Sequence, residues 1–218
     1  MSGVLDPKTP TDIAARAQRA RIIDAMVASC AEKTFPGTTI SDIVGQASIS
    51  RTTFYKHFTD KRACFEAAVD SGIEEVRTVA RNAHTPADPP ADAVLAATAA
   101  IVRLMAEKPG LAQLLTGDAP AVEPAAVERY RRLLIPAVSG LWEAAGEQGE
   151  PRMDPNLAFG RAQLLIFNQI AAGKAASLPD LLPETVYLAV APFVGHEEGL
   201  KQARRAEADA NPERSLSR

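Results

Sequence analysis

Residues 38–61 read TTISDIVGQASISRTTFYKHFTDK, and this stretch decides the interpretation of the whole chain. Thr39 is predicted to open one short helix, because a hydroxyl followed three residues later by an acid is a capping pattern. Ser50 caps the next helix, in which Phe54 and Phe58 share the inward face. Two short helices joined by a tight turn predict a helix-turn-helix, in which one helix braces another that enters the major groove of DNA.

The remainder of the chain also has the periodicity of helices. Apolar residues recur at helical spacing from Thr11 or Asp12 to about Lys33, and again from Asp60 or Thr59 to about Asn82. Prolines mark most of the later boundaries, and Pro136 predicts a kink. Further helices are expected at 91–107, 110–116, 122–146, 155–176 and 184–199. No strand pattern persists, so the expected fold class is all-α.

Composition and charge favour a globular DNA-binding protein. Of 218 residues, 46% are apolar and 23% are charged, which is ordinary for a soluble domain. No apolar run approaches the roughly 20 residues that span a bilayer, and no secretory signal opens the sequence, so we expect a cytoplasmic protein. The net charge is −3, but residues 1–62 carry nine Lys/Arg against six Asp/Glu. The basic excess therefore lies where attraction to phosphates would need it.

Residues 39–61 resemble the N-terminal DNA-binding signature of the TetR family of transcriptional repressors. The most specific part of the match is TFYKHF at residues 53–58, followed by Lys61. In the bracing helix the matching positions are Thr39, Ile43 and Ala47. The close resemblance covers about residues 12–70, and beyond it only the helical layout and the total length are similar.

The resemblance implies a homodimer that binds a palindromic operator and is released by a small-molecule effector. It implies an N-terminal three-helix helix-turn-helix DNA-binding domain followed by a C-terminal helical domain for ligand binding and dimerisation. The expected divisions are a disordered arm at 1–10, the DNA-binding domain at 11–61, the regulatory domain at 62–201 and a flexible tail at 202–218. Self-association is expected through the apolar helices at 155–176 and 184–199, which need a partner to bury them.

The resemblance also assigns DNA contacts to particular residues. Thr39, at the positive end of the bracing helix, would hold a phosphate. Arg51 would read guanine, while the methyl group of Thr52 or Thr53 would meet thymine. Tyr55, Lys56 and His57 would grip backbone phosphates and Lys61 would hold another, although His57 could instead pack against the first helix. The full expected set is Thr39, Ser50, Arg51, Thr52, Thr53, Tyr55, Lys56, His57 and Lys61.

Two positions depart from the family pattern. Glycine usually fills the turn position that Ser48 holds here, so a positive φ at this position would carry a conformational cost. Thr52 also stands where relatives often have glycine, and its side chain either adds a base contact or narrows the fit. Both departures leave the operator sequence open.

Neither catalysis nor a metal or cofactor is expected, because the chain contains no GxSxG, Walker, GxGxxG or HExxH motif. His84 and His196 have no second metal ligand at useful spacing and are expected at the surface or in loops. Cys30 and Cys64 each fall within an apolar helical pattern, which predicts two reduced core thiols.

The effector-binding residues stay open. Trp142 and Tyr130 either line a ligand cavity or are plain core aromatics, and Arg103 either pairs with an anionic effector or lies on the surface. The pair Asn168 and Gln169 either crosses an interface or touches a ligand. The rival function is a helical small-molecule-binding protein whose N-terminal head contacts a protein partner instead of DNA.

Overall fold

All of the described secondary structure is helical. The computed structural model describes residues 10–85, 88–125, 128, 129, 132 and 155–210, and within these ranges it contains helices and no strand. The predicted all-α fold is therefore confirmed. The chain divides into two compact units, Met1–Ser71 and Gly72–Arg218. None of the described helices combines the length and the apolar character of a membrane-spanning segment.

The first unit is built from three helices and the start of a fourth. They are α1 (Pro10–Gly37), α2 (Ile40–Gln46), α3 (Arg51–His57) and α4 (Lys61–Asn82), so the boundary between the two units falls within α4. Helical geometry in α1 is interrupted at Thr34, whose φ of 59° and ψ of 166° lie outside the helical region. The regular part of α1 thus ends at about Lys33, where the sequence predicted its end.

Large apolar side chains from all four helices form the core of the first unit. Those without measurable exposure include Ile22, Met26, Ile43, Phe54 and Phe65. Cys30 and Cys64 are both buried in this core, as their apolar helical pattern predicted. Burial raises the pKa of the Cys64 thiol to about 12. This thiol therefore stays protonated and unreactive at neutral pH.

The second unit is a longer series of helices. Its described elements are α5 (Pro90–Glu107), α6 (Pro109–Gln113), a π-helix (Leu114–Asp118), α7 (Ala119–Val122), α8 (Pro155–Ala171), a 3-10 helix (Ala175–Leu181), α9 (Leu182–Val194) and α10 (His196–Ala210). The predicted helix at 122–146, with its kink at Pro136, lies mostly outside the described residues. So does the predicted disordered arm at 1–10, apart from Pro10.

Two predicted helices have different bounds in the structure. The helix expected at 155–176 ends at Ala171, and the next turn is a 3-10 helix. The helix expected at 184–199 is two helices, because Gly195 adopts a φ of 90° that ends α9. Glycine tolerates this left-handed conformation, which other residues rarely adopt.

The prediction of a flexible tail from residue 202 was wrong for residues 202–210, because α10 continues to Ala210. Gln202 and Ala206 are buried one turn apart, so this part of the helix packs against the unit. Arg205 forms a salt bridge with Asp92 at the start of α5. The buried residues of this stripe are small or polar, and a search for large apolar residues at helical spacing overlooks them.

Candidate nucleic-acid interface

The N-terminus of α2 is held by a capping box. Thr39 has extended backbone angles, and its hydroxyl accepts a 3.2 Å hydrogen bond from the Asp42 amide. In return the Asp42 carboxylate accepts hydrogen bonds from the Thr39 amide and hydroxyl, each 2.8 Å long. The pKa of Asp42 falls to about 2, first because Lys33 lies 2.6 Å away and then because of the bonds from Thr39. This network orients the bracing helix at neutral pH.

The turn between α2 and α3 contains a left-handed residue. Ser48 has a φ of 53°, as expected for a position that is usually glycine. A non-glycine residue in this conformation costs on the order of 1 kcal/mol or more. The surrounding bonds hold it in place, because Ser48 and Ile49 donate their amides to the carbonyls of Gly45 and Val44.

Helix α3 has a buried face and an exposed face, as the spacing predicted. Ser50 caps it by accepting a 3.1 Å hydrogen bond from the Thr53 amide. Phe54 and Phe58 are buried, whereas Tyr55 is 54% exposed. The exposed face also carries Arg51, Thr52 and Lys56. One short helix thus presents two cations, a phenol and a threonine on a single outward surface.

Arg51 is already positioned by the bracing helix. Its guanidinium donates a 2.6 Å hydrogen bond to the Ser41 hydroxyl in α2. A guanidinium has five N–H donors, so this bond leaves other donors of Arg51 available. Ser41 is therefore a positioning residue that the sequence pattern did not reveal.

His57 joins α1 to α3, which is the helix predicted to enter the major groove and is called the recognition helix below. Its Nε2 lies 2.9 Å from the Gln18 side-chain oxygen, and the ring is only partly exposed. This contact is the one that the sequence reading left open as packing against the first helix. DNA contact by His57 remains a proposal.

Lys61 is held by the chain that links α1 to α2. Its ammonium donates hydrogen bonds of 2.9 Å to the Phe35 carbonyl and 2.8 Å to the Thr38 carbonyl, and it lies 4.3 Å from the centre of the Phe35 ring. Lysine has three donors, so one N–H remains for a phosphate. Lys61 thus has a structural role in addition to the predicted contact with DNA.

This role predicts a stability loss in Lys61→Met. The variant leaves two carbonyls without their charged donor and should lower the free energy of unfolding by about 1–2 kcal/mol, as measured by urea denaturation. Lys56→Met is the matched control, since Lys56 is exposed on α3, and it should change stability by less than about 0.5 kcal/mol. Equal stability of the two variants would show that the carbonyl bonds contribute nothing.

The candidates for an effector site in the second unit have separate outcomes. Arg103 is exposed and donates to the Ala99 carbonyl of its own helix, which fits a surface arginine. Asn168 is exposed, and Gln169 is partly buried with no hydrogen bond to its side-chain oxygen among the described residues. Trp142 and Tyr130 lie outside the described residues.

The two histidines are not placed as metal ligands. His196 is exposed and lies 2.9 Å from the Tyr187 hydroxyl, while His84 follows α4 and is half-buried. In the part of the chain that the structure describes, no three His, Cys, Asp or Glu side chains are grouped so as to hold a metal ion.

Sequence reasoning missed a set of buried polar groups at the π-helix. Thr116 and Asp118 are both more than nine-tenths buried, and the Thr116 hydroxyl donates to the Ala112 carbonyl. Gln163 of α8 donates a long, 3.4 Å hydrogen bond to the Leu115 carbonyl. A π-helix rarely persists without a functional or packing reason, but nothing in the sequence distinguishes this turn from an α-helix.

Comparison with known proteins agrees with the geometry of the first unit, which is called the head below. Residues 22–68 match the model of the family described as bacterial regulatory proteins, tetR family. These residues span the core part of α1, both helices of the motif and the start of α4. No curated protein sequence matches the chain.

Solved structures share the fold over most of the chain. The fatty acid degradation regulator FadR from Bacillus halodurans aligns with a TM-score of 0.69 at 17% identity, covering 85% of this chain and 97% of its own. FadR from Bacillus subtilis, in complex with stearoyl-CoA, aligns at 0.68 and 17%, covering 79% and 98%. A TetR-like transcriptional regulator from Rhodococcus sp. RHA1 aligns at 0.64 and 20%, covering 82% and 96%.

The family match thus falls on the segment that forms the capped helix-turn-helix, and the similar solved structures extend the same fold through the second unit. The N-terminal unit of the chain therefore carries the helix-turn-helix segment of the tetR family of bacterial regulatory proteins, and the whole chain shares its fold with solved regulators of that kind.

Proposed function

We propose that this protein is a homodimeric repressor that binds a palindromic operator and is released by a small-molecule effector. The observation that carries the proposal is the exposed face of α3, where Arg51, Thr52, Tyr55 and Lys56 lie within the segment that the family model matches. Arg51 and Thr52 read base edges, and Tyr55 and Lys56 hold phosphates on either side of them. The other predicted DNA-contact residues also stabilise the motif itself; they are Thr39, Ser50, Thr53, His57 and Lys61.

Dimerisation is supported by an apolar face of α8. Leu157 is 60% exposed and Leu164 is 55% exposed, and the seven-residue spacing places both on one side of the helix, with exposed Gly160 between them. Large apolar side chains on one helix face indicate a partner surface. A second copy of α8 and α9 across a two-fold axis buries this face and pairs the two heads with the two halves of a palindrome.

Release by an effector is supported by the fold similarity and by the helix that the two units share. One structurally similar regulator, FadR from Bacillus subtilis, was crystallised in complex with stearoyl-CoA. Helix α4 begins at Lys61 in the first unit and ends at Asn82 in the second, so a ligand that shifts α4 changes the positions of the heads. Operator affinity and effector affinity must then weaken each other by the same factor.

The test is selection of operators from a randomised duplex pool, followed by binding to the winning sequence. Wild-type protein should enrich a palindrome. The mass of its complex with that duplex should correspond to two protein chains. Arg51→Ala should weaken binding by about 1–3 kcal/mol and relax the preference at one base position in each half-site. Tyr55→Phe, which removes a phosphate donor, should weaken binding equally on all sequences.

The matched control is Arg77→Ala, which removes a partly exposed arginine of the second unit that pairs with Glu74. This variant should bind the operator as the wild type does. Absence of any enriched duplex with wild-type protein would contradict the proposal and favour the rival in which the head contacts a protein partner. A complex containing a single chain would contradict the dimer alone.

A further inference from the structure

Residues Asp12 to Arg21, near the start of α1, are almost entirely exposed. From Asp12 to Arg21, every side chain except that of Gln18 is exposed, including Ile13 at 58%. The buried stripe of α1 begins only at Ile22. A helical segment of this length is marginal in water unless something packs against it. The chain therefore extends a helix for about three turns beyond the core that supports it.

Two contacts place this extension beside the recognition helix. Gln18 meets the His57 ring at 2.9 Å, and the Arg19 guanidinium lies 4.9 Å from the centre of the Phe58 ring. His57 is the last residue of α3, and Phe58 follows it. The exposed turns of α1 thus lie beside the C-terminal end of α3.

The charge of the extension suits an anionic partner. Residues 10–21 contain three arginines, at positions 16, 19 and 21, against one aspartate at position 12. With about 100° of rotation per residue, Arg16 and Arg19 lie about 60° apart on one side of the helix. Arg21 is about 160° from Arg19 and faces the opposite side.

We propose that the extension of α1 lies along the DNA backbone beside the groove that α3 enters, with Arg16 contacting a phosphate. This inference rests on the proposed DNA-binding function and adds a contact outside the helix-turn-helix. Arg19 keeps its stacked position on Phe58 and orients the segment. Duplex DNA is the occupant because the extension is cationic and lies beside the C-terminal end of α3, and because phosphate contacts fix orientation without reading sequence.

The test compares Arg16→Ala, Arg21→Ala and wild-type protein in salt titrations on the operator selected from the duplex pool. Each lost phosphate contact should reduce the slope of log affinity against log salt by about 0.9, so a dimer with Arg16→Ala should lose about two units. On doubling the salt, wild-type affinity should then fall about fourfold more than that of the variant. Arg21→Ala should keep the wild-type slope. Far-UV circular dichroism should show equal helicity, since alanine favours helix.

Four outcomes would overturn the inference. A weaker affinity with an unchanged slope would make Arg16 a structural residue. An unchanged Arg16→Ala titration, with binding lost in Arg51→Ala, would leave the proposed function standing and reject the α1 contact alone. Equal slope loss in Arg21→Ala would reject the oriented contact. Failure of wild-type protein to bind any duplex would reject both proposals together.

Discussion

Phe54→Ala should destabilise the DNA-binding head by about 3–5 kcal/mol, the range found when a buried aromatic side chain is truncated. Phe54 has no measurable exposure, and its ring lies 5.8 Å from that of Phe58 and 5.5 Å from that of Tyr55. Since the side chain fastens α3 to the core, its loss removes apolar burial and leaves a cavity. Urea denaturation, with hydrogen exchange of the amides of α2 and α3, measures the effect.

The matched control is Thr52→Ala, two residues away on the exposed face of α3. It should change the free energy of unfolding by less than about 0.5 kcal/mol while changing DNA binding. The two variants separate stability from recognition on one short helix. A loss below about 1 kcal/mol in Phe54→Ala would contradict the assignment of Phe54 as the anchor of the recognition helix.

Gly199→Ala should destabilise the second unit by about 2–3 kcal/mol, although alanine normally favours a helix interior over glycine. A Cβ at position 199 would lie 2.5 Å from the Cβ and 2.9 Å from the Cα of Ala191. Because a backbone atom of α9 blocks the new methyl group, α9 and α10 must separate to accept it. Thermal and urea unfolding of the full chain measure the loss.

Gly72→Ala is the control, because its added Cβ would meet side-chain atoms instead of backbone. The nearest is a terminal methyl carbon of Leu111 at 2.6 Å, followed by one of Leu115 at 3.3 Å. These flexible ends can move, so the net change should stay within about 1 kcal/mol. If Gly199→Ala proved as mild as Gly72→Ala, the close approach of α9 and α10 would not limit the stability of this unit.

The helix-turn-helix was predictable because its signals are local. The caps at Thr39 and Ser50 each act on an amide three residues away, and the spacing of Phe54 and Phe58 defines the inward face within one turn. Ser48 could likewise be identified as a left-handed position from its place in the turn. The exposure of Tyr55 follows from the same helical geometry.

Contacts between distant residues were not predictable in the same way. Lys61 lies 26 residues from Phe35 and His57 lies 39 residues from Gln18, so no local pattern states that these groups meet. The extent of α10 was missed for a related reason. Its buried positions include Gly199, which lies against Ala191 of α9, and its Arg205 pairs with Asp92 of α5, and both partners are distant in the sequence or on another helix.

The sequence by itself therefore determined the class of fold, the motif that recognises DNA and the outward face of its second helix, since these depend on capping and spacing within a few residues. Only the tertiary structure decided that Lys61 and His57 also brace the head, and that α10 runs to Ala210. It also showed that residues 12–21 of α1 lie almost entirely exposed to solvent. Those features depend on which distant surfaces meet, and contacts of that kind are set by packing instead of by local propensity.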